Sequence, residues 1–130
     1  MKLNFGFICD YASFGEAGKL NILGIFKNIN GSSLPLVHPQ LYVVVNVMID
    51  KPGNHKEVIK LVAKEDGREI ISPLEFNLSA PADATGKKIE LGVMGQINNI
   101  KFEKAGEYIF KVLVNNEIVG EIPLTVHIKE

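Results

Sequence analysis

The run Phe102–Ile128, FEKAGEYIFKVLVNNEIVGEIPLTVHI, restricts the fold of this chain more than any other stretch. Lys104, Ala105 and Gly106 form a turn that leads into alternating Tyr108, Phe110, Val112 and Val114. Side chains on a strand point to opposite faces in turn, so this alternation describes a strand with one buried side. Asn115-Asn116 then reverses the chain into Ile118–Ile128, and asparagine tolerates the positive φ that a two-residue hairpin turn demands. The end of the chain is a β-hairpin, and the fold class is all-β.

The same two signals recur upstream. Leu3, Phe5, Phe7, Cys9 and Tyr11 alternate with Asn4, Gly6 and Asp10, a first strand with Cys9 on its buried side. After a turn at Ser13–Gly18, Leu20–Phe26 makes a second strand paired with the first. Asn28–Gln40, rich in Gly, Ser and Pro, reads as a long loop, and Leu41–Ile49 is the most β-branched segment and the expected central strand. Further strands are expected at Val58–Ala63, Glu69–Ile71, Leu74–Leu78 and around Ile89–Val93, with a polar loop at Ser79–Lys88. The window His55–Glu65 also carries helix-compatible spacing, but its flanking Pro-Gly and Asp-Gly turns and short length favour a strand. Eight or nine strands at this spacing predict an antiparallel β-sandwich of immunoglobulin-like type, one domain over residues 1–130.

Charge and cysteine content narrow the function classes. Fourteen basic and 15 acidic residues are spread along the chain, with no basic stripe, so nucleic acid is not an expected partner. The single Cys9 cannot form an internal disulfide and makes no demand on an oxidising compartment. The apolar start MKLNFGFIC breaks at Asn4 and Gly6, too short for an export signal, and no stretch of about 18 apolar residues suggests a membrane span. The expected location is the cytoplasm.

Two resemblances bear on the fold. Ala105-Gly106-Glu107-Tyr108 ahead of an alternating strand resembles the tyrosine corner of immunoglobulin-like domains, in which a tyrosine hydrogen-bonds back to the preceding loop. The chain has no Trp, and Phe110 stands where antibody domains carry their second disulfide cysteine. Cys9-Asp10-Tyr11-Ala12, then Gly18–Phe26 (GKLNILGIF), then His38-Pro39-Gln40 resemble a family of uncharacterised bacterial proteins with a β-sandwich fold. That resemblance implies the fold and brings no activity with it.

Catalytic and metal chemistry find little support. Nucleophilic catalysis by Cys9 would need a base in reach, and an apolar setting raises a thiol's pKa. The histidines His38, His55 and His127 lie in separate segments without ligand spacing, so no metal or other cofactor is expected. His55 reads as solvated and His127 as outward-facing. Gly15–Lys19 lacks the spacing and following hydroxyl residue of a phosphate-binding loop. A polar site near Asp10, Tyr11 and His38 is the alternative to a binding role.

Excess hydrophobicity is the main functional clue. If Leu41, Val43, Val45, Val47 and Ile49 face the core, then Tyr42, Val44 and Met48 form a second apolar face on the central strand. Burying one such side chain is worth about 1.5–3 kcal/mol, so this face needs a cover, either the Asn28–Gln40 loop or another protein molecule. A homodimer is favoured. The expectation is a non-enzymatic binding or scaffold domain whose contacts are Tyr42, Val44 and Met48, with Leu36, His38 and Gln40 as the adaptable loop.

Overall fold

Alternation resolves into strands throughout the computed structural model, which describes residues 1–82 and 89–129. In order these are β1 (Lys2–Phe14), β2 (Leu20–Ile25), β3 (Asn28–Gly31), β4 (Leu36–Ile49), β5 (Gly53–Ala63), β6 (Leu74–Ala80), β7 (Ile89–Phe102), β8 (Gly106–Val114) and β9 (Glu117–Ile128). They form a four-stranded sheet, β2-β1-β4-β7, and a five-stranded sheet, β3-β9-β8-β5-β6. Every pairing is antiparallel except β3 with β9. The expected all-β sandwich is therefore the fold.

The strand order fits the immunoglobulin-like plan. β4 and β7 pair as strands B and E do, while β5, β8 and β9 follow the order C, F, G. β1 flanks β4 in the first sheet, and β3 joins β9 in the second, so the chain changes sheets before β4. The β1–β2 hairpin is inserted at that change. It is an addition to the plan, which matters for the site below.

The core lies between the sheets. Leu41, Val43, Val45, Val47 and Ile49 of β4 meet Ile59 and Leu61 of β5 and Phe110 and Val112 of β8, all buried. Two readings of local chemistry hold in detail. Asn115 and Asn116 adopt φ values of 51° and 70°, and together they make the turn between β8 and β9. The Tyr108 hydroxyl donates to the Lys104 carbonyl, closing a tyrosine corner, and the ring packs edge-on against Phe102 with centroids 4.9 Å apart.

Four local expectations are corrected. Asn28–Gln40 is not one long loop: β3 occupies its start, and β4 begins at Leu36, which makes His38 a strand residue. Glu69–Ile71 is not a strand; Glu69 makes one isolated bridge to Val62, and Pro73 follows. The loop expected at Ser79–Lys88 loses Ser79 and Ala80 to β6, and its residues 83–88 lie outside the described residues. Finally, Leu3 and Phe5 do not share a face. A bulge between them leaves Leu3 opposite Val47, on the core side, and Phe5, Phe7 and Cys9 opposite Asn46, Val44 and Tyr42 on the outer side. One extra residue in a strand inverts everything beyond it.

Candidate functional site

The inserted hairpin folds onto the outer side of the four-stranded sheet. Ala12 and Ile22 stand opposite each other across the β1–β2 ladder. With Leu20 they pack against Cys9, Tyr42, Val44 and Met94 in a second apolar cluster, separate from the main core. Cys9 is fully buried there, its thiol directed at the Tyr11 and Tyr42 carbonyls at 3.5 and 3.8 Å. Burial pushes that thiol up, away from the thiolate a nucleophile requires.

This cover changes the expected contact surface. Val44, placed in the exposed set, is 1% exposed and sealed by the chain's own hairpin rather than by the Asn28–Gln40 segment or a second molecule. Tyr42 is half-buried, meets Tyr11 edge-on with centroids 5.3 Å apart, and donates to Gln96 at 3.1 Å. Gln96 in turn donates to Gln40 and Asn98, so Gln40 belongs to a polar row on the outer side of β4 and β7. Met48 stands towards the other end of β4, beside Met1, Lys2 and Asp50. The expected contact residues therefore do not make one continuous patch.

The hairpin also leaves large apolar side chains open on both of its sides, Tyr11 with Leu23 on one and Phe14, opposite Leu20, on the side of Ala12 and Ile22. Tyr11, Phe14, Leu23 and Ile25 are 47%, 55%, 64% and 55% exposed, and Leu23 is directly opposite Tyr11. β2 is also an edge strand, with one row of backbone groups unpaired within its sheet.

At the root of the hairpin lies an open groove of about 340 Å³ lined by Asp10, Asn28, Asn30 and His38, with Ile25 and Phe26 at its side. Of the residues named for a polar site, Asp10 and His38 both line this groove, while Tyr11 turns to Tyr42 instead. Gly24 shapes this groove. Its φ is +68°, and a Cβ there would run into the Asp10 carboxylate. Asn28 accepts from His127 Nε2 at 2.9 Å, and His38 lies against Phe26 with its Nε2 buried and unpartnered. A second groove, with Ser32, Ser33 and Leu36, continues past His38. All three segments behind the family resemblance, Cys9–Ala12, Gly18–Phe26 and His38–Gln40, contribute to the hairpin and its root.

Two buried polar groups escaped the sequence reading. His55 is buried, not solvated. Asn115 Oδ1 accepts from the Lys56 amide, so its NH₂ faces His55 Nδ1, leaving Nε2 to donate to the Lys51 carbonyl at 2.9 Å. Glu57, two residues on, is wholly buried with both carboxylate oxygens unpartnered, and burial raises its carboxyl to about 7. Extending the β5 alternation back by one residue from Val58 would have found it. Elsewhere, the cavity between the β5–β6 and β7–β8 turns holds two ion pairs, Lys64 with Glu107 and Arg68 with Asp66, each at 3.5 Å. Among the described residues no group of three His, Cys, Asp or Glu is placed to hold a metal ion, and no helix is long and apolar enough to cross a membrane.

A family model covers residues 4–127. The chain belongs to the family of unknown function DUF6941. No curated protein matches it. Among solved structures, the alkylpurine DNA glycosylase AlkC of Pseudomonas fluorescens, bound to DNA containing an abasic site analogue, matches at 15% identity with a TM-score of 0.46. The match covers 78% of this chain and 28% of that one. That protein's structure holds DNA, against the expectation that excluded nucleic acid, and the exclusion is not carried further. The likeness carries no argument about this chain's own ligand.

Proposed function

We propose that this chain is a non-enzymatic binding domain that self-associates through its β1–β2 hairpin, in the cytoplasm. The observation that carries the reading is that the one hairpin added to the immunoglobulin-like plan holds Tyr11, Phe14, Leu23 and Ile25 out to solvent. A sandwich does not need these side chains there, and clustered exposed apolar groups on a soluble domain mark contact surfaces. The arrangement resembles a small interface, with an apolar centre at Leu23 and Ile25 and a polar rim supplied by Asp10, Asn28 and Asn30. A second copy is the favoured partner because β2 offers an unpaired edge that an identical strand can meet in antiparallel fashion.

The experiment is light scattering coupled to size exclusion on the wild type and on Leu23→Glu/Ile25→Glu. The wild type is expected at twice 14.3 kDa and the double variant at 14.3 kDa, with unchanged circular dichroism. A wild type that runs as a monomer throughout the micromolar range, or a variant that remains dimeric, overturns the reading.

A further inference from the structure

Strand β5 sends His55, Glu57, Ile59, Leu61 and Ala63 to the buried side of its sheet. Glu57 is the only acid among them. It stands opposite Val114 of β8 on one side and Phe76 of β6 on the other. It is 0% exposed, and among the described residues neither carboxylate oxygen has a hydrogen-bond partner.

The surroundings offer no compensation among the described residues. On β8 the same side carries Val112 and Val114, and on β6 it carries Leu74, Phe76 and Leu78. The facing sheet contributes Val47, Ile49, Ile89 and Leu91 to this core. His55 is the one titratable neighbour on that side of β5, and both its ring nitrogens are engaged by Asn115 and Lys51. Lys56 and Glu75 pair with each other in solvent at 3.1 Å, and Lys60, Lys111 and Glu117 also lie outside the core. A neutral acid is tolerable in such a place; a carboxylate needs water.

We propose that Glu57 is a protonation latch: held neutral it keeps edge strand β6 closed over the core, and its ionisation releases β6 while β5, β8 and β9 stay paired. β6 is the element to yield because it has seven residues and, among the described residues, a single ladder, to β5. β8, the other neighbour, is held by β5 and β9 together. Lifting Phe76 is thus the shortest way to bring water to the carboxylate. Burial sets the transition near neutral pH, because it raises the group to about 7.

Amide hydrogen exchange read by mass spectrometry, corrected for intrinsic rates, tests this on the full chain at about pH 6 and about pH 8.5. Protection of residues 74–80 is expected to fall about tenfold across that interval, protection of 108–113 to stay constant, and Glu57→Gln to abolish the change. Equal loss in β6 and β8, or the same pH dependence in Glu57→Gln, overturns the latch. Should Glu57→Gln fail to fold, the infrared band of a protonated carboxylic acid in the wild type decides. Its presence at about pH 6 and loss by about pH 8.5 supports the latch, and its absence at the lower pH refutes it.

Discussion

At the scale of single residues, the hairpin root depends on Gly24. A side chain at φ +68° is strained, and here it would also displace Asp10. Gly24→Ala is expected to cost about 1–2 kcal/mol in urea unfolding, the usual size of a left-handed backbone penalty with a local clash added. Part of that cost should vanish in an Asp10→Ala background, because the clash is then gone. Identical costs in both backgrounds would show that Asp10 does not lie over Gly24. The contrast with Asn115 is instructive. Its positive φ was legible from the pair Asn115-Asn116 between two alternating runs, since the turn type selects its residues locally. Gly24 sits inside a strand, and nothing in LNILGIF tells that its neighbour across the ladder is a carboxylate.

At the scale of elements, the β1–β2 hairpin has two jobs, one covering and one exposed. Its covering side rests on Ile22 and Ala12, which shield Cys9 and Val44. Cys9 therefore reports on the lid. In the wild type it should react with a thiol reagent only when the hairpin lifts. Ile22→Ala, which removes part of that packing, is expected to speed labelling about five- to thirtyfold, for a loss of about 1–2 kcal/mol from a half-buried site. Labelling unchanged by Ile22→Ala would mean that the hairpin does not seal the thiol. The expected apolar outer side of β4 was legible in the alternation of LYVVVNVMI, and so was its need for a cover. What covered it was not, because Ala12 and Ile22 lie some twenty or thirty positions away, and the bulge after Leu3 changes which side β1 presents.

At the scale of the whole molecule, Glu57 should leave its mark on stability. The folded state holds its proton up to about pH 7, whereas an unfolded chain releases it near 4.5. Between those values the folded state binds more protons, so stability falls as pH rises and then levels off above the folded value. The difference between wild type and Glu57→Gln isolates this from the other carboxylates, and its total change should be on the order of 3 kcal/mol, with the wild type losing ground at higher pH. A difference that is flat with pH would remove Glu57 as the cause. The sandwich itself was written in the sequence by itself: period-two alternation, Asn-Asn and Gly turns and the tyrosine corner act over a few residues, and they define strands and a fold class. So did the pairing of β1 with β2 and the central place of β4. Only the tertiary structure decided that the hairpin closes over Val44, that Asp10 and His38 meet in one groove, and that Glu57 lies in the core without a partner. Alternation says that a strand has two sides; what comes to lie over each side is set by residues distant in the chain.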